Sequence, residues 1–233
     1  VEGMSDYMEN ELVGKIMAVN SFDLRHRPNI NIGDVDESVW EEYRRRPRLL
    51  LSDVEPVVAA LPEGSRWYMS SEDQLRVSST FSGKPRNVQV FAVDGDYFEI
   101  RSLNVARGRS FAQQELTRGE NIVVLGPDAA ERLFPDLDPL GRVLRMGGQP
   151  YTVIGVTEAR GKSFGMSFDN FAIAPFRSPV HRLLNRRPGV IDNVTVQTAT
   201  PVQLVDAQER VRAVMRARHQ LRPAQKDDFT MQT

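Results

Sequence analysis

The sequence predicts an α+β protein: a ferredoxin-like split βαβ unit, opened in the middle by a mostly-β insert. Three observations lead there. Strand–helix–strand order reads at residues 16–25, 52–61 and 66–80, and recurs at 191–198, 201–219 and 227–232. Between the two halves, from about residue 86, the texture changes to short apolar runs separated by glycine. The 233 residues are 40% apolar and 26% charged, an ordinary globular balance. The textures set the expected domains: residues 1–85 with 188–233 form one discontinuous subdomain, and residues 86–187 form the insert.

Each element has a local reason. Residues 4–13 have a helical look, with Met4, Met8, Leu12 and Tyr7 on one side. Residues 16–25 read as a strand, alternating polar and apolar through Asn20-Ser21-Phe22-Asp23-Leu24-Arg25, until Pro28 and Asn29-Ile30-Asn31-Ile32-Gly33 break it. Residues 36–46 form a polar helix with favourable i,i+4 pairs Glu41/Arg45 and Glu42/Arg46, ended by Pro47. Ser52 followed by Glu55 predicts a capping box, with Pro56 in the first turn and Val54, Val57, Val58 and Leu61 as the apolar face. Trp67–Met69 and Gln74–Thr80 read as strands before the Gly83-Lys84-Pro85 turn. In the insert, Val88, Val90 and Ala92 alternate; Asn121–Leu125 is a buried strand; Asp128–Phe134 is a short helix; Arg142–Met146 and Tyr151–Val156 form a hairpin; Phe171–Ala174 is a last strand. The insert closes on Asn185-Arg186-Arg187-Pro188-Gly189. Asp192–Thr198 is again a strand. Thr200-Pro201-Val202-Gln203 then caps a helix to about His219, with Leu204, Val211, Val214 and Met215 on its apolar face, and Asp228–Gln232 supplies a final strand. In a split βαβ sheet, the start of the first strand and the end of the last share an edge. Both chain ends are therefore expected to leave together, as in a domain inserted into another protein.

Composition narrows the function. A net charge of −1, from 30 basic and 31 acidic residues, excludes a strongly basic nucleic-acid binder, though a local basic patch stays open. Zero cysteines exclude disulfides, thiolate metal sites and thiol nucleophiles. No apolar run reaches the length of a membrane span, and the first residues have neither the basic nor the apolar region of a signal peptide.

Chemical motifs are weak. Gly161-Lys162-Ser163-Phe164-Gly165 matches the G-x-S-x-G of a nucleophile elbow, but no apolar-periodic helix follows it, so a loop is expected over a stand-alone hydrolase using Ser163. A phosphate loop would need glycine where Val156 stands. His26, His181 and His219 lack metal-ligand spacing and are expected in solvated or hydrogen-bonding roles. The pairs Asp94/Asp96, Asp136/Asp138 and Asp227/Asp228 suit turns and caps, and the basic runs Arg44–Arg46, Arg186-Arg187 and Arg210–Arg218 suit solvated faces. The expectation is no catalytic, cofactor or metal residue, and a binding, coupling or structural module.

One resemblance stands above this. Val93-Asp94-Gly95-Asp96-Tyr97-Phe98, Gly108-Arg109-Ser110-Phe111, Val123-Val124-Leu125-Gly126 and Arg132-Leu133-Phe134 are followed by Asp138-Pro139-Leu140-Gly141-Arg142 and Tyr151-Thr152-Val153-Ile154-Gly155-Val156. In that order and spacing they resemble the MacB-like extracytoplasmic domain of ABC-transporter permeases of the FtsX/MacB type. The flanks, Asn20-Ser21-Phe22 with Arg25-His26-Arg27-Pro28, and Arg218-His219-Gln220-Leu221 with Asp227-Asp228-Phe229, are similar to the family's start and end. The resemblance implies a ferredoxin-like porter subdomain with an inserted sabre subdomain, on the periplasmic side of the inner membrane between two transmembrane helices. It implies a cytoplasmic ATPase subunit or domain as partner through the membrane helices and a second permease copy as homodimer partner. It also implies an export or efflux role by mechanotransmission, in which an outer domain opens and closes in response to ATP hydrolysis. A lipoprotein-releasing or cell-division permease is the alternative within the same class; a soluble binding module outside any transporter is the alternative outside it. Contacts to a periplasmic adaptor or substrate protein are expected on the Gly161–Asn170 loop, at Phe164, Phe168 and Asp169. No nucleic acid and no cofactor is implied.

Overall fold

The computed structural model describes residues 20–29, 36–163, 166–184 and 187–233. The expected helix at 4–13, the first part of the strand at 16–25, Phe164 and the Asn185-Arg186 turn lie outside the described residues. In chain order the elements are β1 (Ser21–Arg25), α1 (Glu37–Arg45), β2 (Leu49–Leu50), α2 (Leu51–Ala60), β3 (Arg66–Ser78), β4 (Arg86–Gly95), α3 (Tyr97–Ile100), β5 (Val105–Gly108), α4 (Gln113–Arg118), β6 (Ile122–Leu125) and α5 (Pro127–Leu133). They continue with β7 (Val143–Met146), β8 (Gln149–Thr157), β9 (Lys162–Ser163), β10 (Met166–Ser167), β11 (Phe171–Pro175), β12 (Val190–Ile191), β13 (Asn193–Gln197), α6 (Pro201–Arg218) and β14 (Thr230–Gln232). The chain divides into two compact units: residues 1–68, 99–102 and 192–233, and residues 69–98 with 103–191.

In the first unit the sheet order is β14-β1-β13-β3. Numbered within the unit this is fourth–first–third–second, the order of a split βαβ sheet. β1 runs antiparallel to β13 (Phe22↔Val196, Leu24↔Val194) and to β14 (Asp23↔Gln232, Arg25↔Thr230). Because side chains alternate along a strand, Phe22, Leu24, Val194 and Val196 share one fully buried face. Helices α2 and α6 pack together and add Val54, Val57, Ala207, Val211 and Met215, the last three at i, i+4 and i+8. The opposite face is polar: Asp23 Oδ1 accepts from Thr195 Oγ1 at 2.6 Å, and Asp23 Oδ2 takes Arg25 at 3.1 Å. Tyr68 is buried with them, and burial pushes its phenol above the usual range.

Helix α6 has the cap its sequence announces: Thr200 Oγ1 accepts the Gln203 N–H at 3.2 Å, with Pro201 at the first helical position. Helix α2 departs from expectation. It begins at Leu51, and Asp53, not Glu55, reaches back to the Leu50 N–H at 2.8 Å. Ser52 is left as an exposed first-turn residue, and Pro56 falls inside the helix, where the carbonyl it leaves unpaired belongs to that exposed serine. Trp67–Met69 and Gln74–Thr80 are also not two strands. β3 runs unbroken through Ser70-Ser71-Glu72-Asp73, with Ser71 buried.

The second unit holds the order β3-β4-β11-β6-β8-β5, with β7 pairing both β3 and β8. Two neighbours are parallel, β4 with β11 (Val90↔Ala172) and β6 with β8 (Val123↔Val153). All four residues of β6 and all five of β11 are buried, the continuous apolar run that parallel strands carry. The β7–β8 hairpin closes through Gly147 and Gly148 at φ +54° and +80°. That is the mirror-image turn which glycine supplies without strain.

Candidate functional site

Two regions follow from the sequence as candidates: the edge where the chain ends converge, and the loop after β8. Each lies within one unit.

At the edge, β1 and β14 are backbone partners, so the entrance to Ser21 and the exit at Thr233 stand side by side. The tail before β14 is fastened along α6. Arg212 Nε meets Asp227 Oδ2 at 3.1 Å and Arg216 Nη1 meets Asp227 Oδ1 at 2.6 Å. Arg216 Nη2 also donates to the Arg222 carbonyl at 2.7 Å, and His219 Nδ1 meets Asp228 at 2.5 Å, beside the buried Phe229 ring. Arg46 reaches from the end of α1 to Thr230 Oγ1 at 3.0 Å and to Glu42 at 3.2 Å. Asp53, which holds the start of α2, takes Arg218 at 2.6 Å. Arg212, Arg216 and Arg218 of α6 and the pair Asp227/Asp228, expected on solvated faces and in turns, are thus the ties between α6, α2 and the tail, while Arg210 stays exposed beside Asp206 of its own helix. The signal in the sequence was the spacing Arg212, Arg216, His219, which puts three donors on one helix face.

His26 follows β1 and is 8% exposed, with Arg48 Nη1 at 2.9 Å from its Nε2. Burial first, then the charges of Arg48 and Arg27, lower its pKa to about 4, so the ring is neutral at physiological pH. His181 Nδ1 bonds the Ser178 carbonyl at 2.7 Å and its ring stacks on Phe176. All three histidines occupy hydrogen-bonding roles, and among the described residues no group of three His, Asp or Glu converges as a metal site.

At the loop, β9 and β10 pair antiparallel (Ser163↔Met166). Ser163 therefore sits on a hairpin rather than on the strand-to-helix turn that a nucleophile elbow needs. Asp169 is buried, and its carboxylate accepts the Arg160 N–H at 2.7 Å and the Gly161 N–H at 3.0 Å, closing the neck of the hairpin. Its carbonyl lies where a Cβ on Gly126 would come within 2.2 Å, so the β6–α5 corner has room only for glycine. Phe168 is 38% exposed at the base of the hairpin.

The motif residues that carry the family resemblance have structural work in the second unit. Gly108 (φ +75°) and Gly155 allow β5 and β8 to touch: a Cβ on either would stand 2.2–2.4 Å from a carbonyl across the pair. Arg109 clamps Glu115 through two bonds of 2.8 and 2.7 Å, which together with the Ala112 N–H holds the Glu115 carboxyl below the usual range. Asp94 caps the Gly95 N–H at 2.9 Å and pairs with Arg177 at 3.4 Å. Arg142 Nε bonds the Asp138 carbonyl at 2.7 Å, while its guanidinium lies 5.1 Å from the Phe81 ring centre.

Comparison with known proteins agrees with this geometry. Residues 1–214 match the family model described as the MacB-like periplasmic core domain. A probable export ATP-binding/permease protein of Pseudomonas fluorescens is 28% identical over 92% of this chain and 31% of its own length. The macrolide export ATP-binding/permease protein MacB of Agrobacterium fabrum is 35% identical over 57% of this chain and 20% of its own length. The chain thus spans a third or less of these relatives. Among solved structures, the periplasmic region of MacB from Actinobacillus actinomycetemcomitans superposes with a TM-score of 0.70 at 16% identity, covering 94% of this chain and 90% of that one. The extracellular domain of the noncanonic ABC-type transporter YknZ from Gram-positive bacteria gives 0.69 at 20% identity, covering 91% of this chain and 100% of that one. At these identities the two structures speak to the fold alone.

Proposed function

The chain belongs to the MacB-like periplasmic core domain family, and from that premise we propose that it couples cytoplasmic ATP hydrolysis to movement outside the inner membrane in an export or efflux permease. The observation that carries the reading is the antiparallel pairing of β1 with β14, which sets the two chain ends side by side. Two membrane helices attached there act on neighbouring strands of one sheet. A relative shift of the helices loads that edge directly, and the Arg212–Arg216–Asp227 and Arg218–Asp53 ties pass it to α6 and α2. Close-packed cores transmit such strain rather than absorbing it. The domain needs no catalytic group of its own for this work; the energy comes from an ATPase subunit or domain reached through the membrane helices, in a permease that works as a homodimer.

A periplasmic adaptor or substrate protein is the partner proposed for the hairpin after β8. Phe168 presents an exposed apolar side chain, Phe164 is the second aromatic residue of the same loop in the sequence, and Asp169 closes the neck. Replacing both phenylalanines by alanine is expected to leave folding intact and weaken partner capture. Normal export by that double variant would count against the assignment.

Location is tested in the full-length permease with a single cysteine at Val143, which is 47% exposed. An impermeant maleimide added to intact spheroplasts is expected to label it. Labelling only after the membrane is permeabilised would overturn the reading.

A further inference from the structure

One corner of the second unit gathers exposed apolar side chains beside cations that no carboxylate answers. Phe81, Leu137 and Val143 are 42%, 38% and 47% exposed, three of the seven exposed large apolar side chains among the described residues. They are neighbours. The Phe81 ring lies 6.1 Å from the buried ring of Phe134, and the Leu137 N–H donates to the Phe134 carbonyl at 3.1 Å. Arg142 lies over the Phe81 ring and leads directly into Val143, the first residue of β7.

The sheet extends this corner into a charged face. Val77 of β3 is level with Met146 of β7, and Ser78 with Arg145; Val77 and Met146 are fully buried. Alternation therefore turns Arg76 and Ser78, with Val143 and Arg145, to the opposite side, where Arg76, Val143 and Arg145 are exposed. Arg76 and Arg145 are diagonal neighbours on that face, with Cα atoms about 7–8 Å apart. Arg142 and Arg145 are separated by roughly 10 Å of strand. Among the described residues none of these three arginines meets a carboxylate: Arg142 Nε and Arg145 Nη1 bond the backbone carbonyls of Asp138 and Gly148 at 2.7 and 2.9 Å. Lys84, exposed on the turn after Phe81, meets none either. In the turn before β7, Asp138 is taken by Arg107 at 3.5 Å, which leaves Asp136 against four cations. By contrast, Arg109, Arg132 and Arg177 of the same unit each have an acid within 3.4 Å.

Guanidinium groups held this close with no acid between them repel, and a carboxylate from outside relieves the repulsion. The planar fork of arginine matches the two oxygens of a carboxylate. Arginine over an aromatic ring is also the composition that carries binding energy at protein interfaces. We propose that this face docks an acidic segment of a partner protein, with its carboxylates on Arg76, Arg142 and Arg145 and an apolar side chain against Phe81 and Val143. A lipid surface fits less well. The face is a strand surface with no helix to lay an apolar side into a bilayer, and Phe81 is held between Phe134 and Arg142. The surface involves no residue of the hairpin after β8 and does not rest on the permease reading.

The test uses the 233-residue chain with random copolymers as probes. Poly(Glu,Tyr) offers carboxylates with an aromatic ring, poly-Glu offers carboxylates alone, and poly(Lys,Tyr) reverses the charge. The chain is expected to bind poly(Glu,Tyr) more tightly than poly-Glu and to ignore poly(Lys,Tyr). Arg142→Gln/Arg145→Gln is expected to weaken poly(Glu,Tyr) binding about tenfold or more. Arg44→Gln/Arg45→Gln, which removes two exposed arginines of α1, is expected to leave it within about twofold. Phe81→Ala should erase the preference for the tyrosine-bearing polymer, with urea unfolding to establish that each variant is folded. Equal losses in the two arginine pairs overturn the proposal, because bulk charge then explains the binding. Absence of poly(Glu,Tyr) binding overturns it too. So does self-association that Arg142→Gln/Arg145→Gln abolishes, which assigns the face to a second copy of the chain. Phosphatidylglycerol vesicles that bind through the same arginines at least as tightly as the copolymer assign it to lipid instead. Because only the isolated chain is used, failure here is separate from failure of maleimide labelling in the full permease.

Discussion

Replacing Asp53 with alanine removes two interactions from one buried side chain, and the structure sets their scale. Asp53 Oδ2 accepts the Leu50 N–H at 2.8 Å at the start of α2, and loss of a helix cap costs about 1 kcal/mol. Asp53 Oδ1 takes Arg218 at 2.6 Å, with the carboxylate side chain 7% and the arginine 33% exposed. A hydrogen bond to a charged group contributes about 1.5–3 kcal/mol, and the partly solvated Arg218 places this pair at the lower end. The sum is a destabilisation of about 2–3 kcal/mol. Urea unfolding followed by tryptophan emission measures it selectively, because the chain has two tryptophans, Trp40 and Trp67, and both lie in the first unit. Arg218→Ala and the double variant complete a cycle in which a coupling of about 1–2 kcal/mol is expected. A loss below about 0.5 kcal/mol for Asp53→Ala, or a cycle that closes with no coupling, would refute the view that this carboxylate ties α2 to α6.

His26 titrates at about 4 in the folded chain and near 6.5 when unfolded, so below 6.5 the unfolded state binds more protons. Stability is then full above about pH 6.5 and lost as pH falls toward 4. The first unit is expected to lose about 2 kcal/mol between pH 7 and 5 through this residue, and His26→Gln should remove that share of the shift in urea midpoint. Gly126→Ala forces a Cβ to within 2.2 Å of the Asp169 carbonyl, so a loss of about 2 kcal/mol or more is expected in thermal unfolding followed by circular dichroism. Thr200→Ala should cost about 1 kcal/mol by removing the acceptor for the Gln203 N–H, while Thr200→Ser, which keeps the hydroxyl, should restore most of it.

What the sequence discloses depends on how local each determinant is. The start of α6 is legible because Thr200, Pro201 and Gln203 act within four residues of one another. The Glu41/Arg45 and Glu42/Arg46 pairs form as spaced, at 3.5 and 3.2 Å. The start of α2 is misread because its capping carboxylate also answers to Arg218, a residue 165 positions away. β3 looks like two strands because Ser70–Asp73 is polar, but continuous pairing with neighbouring strands decides strand length, and Val77 is held to Met146 of β7. Several short elements escape notice, α3, β5 and α4 among them. α4 had a signal in Glu115, three residues after its cap position Ala112, and in Gly119 at φ +66° at its end. The parallel pairs β4/β11 and β6/β8 are set by chain segments that cross the unit, which alternation within a strand cannot disclose. At the loop, G-x-S-x-G carries the letters of an elbow without the strand and helix that give those letters their chemistry. Asp169 is a neck-closing acceptor whose role depends on the backbone at Arg160 and Gly161.

Slack introduced at one chain end bears most directly on coupling through the paired strands. A flexible Gly/Ser insert of roughly twelve residues after Thr233, spanning about 20 Å, would leave β1 and β14 paired but, under the proposed coupling, detach the exit strand from the motion of a membrane helix attached there. With the full permease in proteoliposomes, ATP hydrolysis and export are followed together. Hydrolysis that persists while export falls about tenfold or more is the expected result. Export that keeps pace with hydrolysis despite the slack would contradict it.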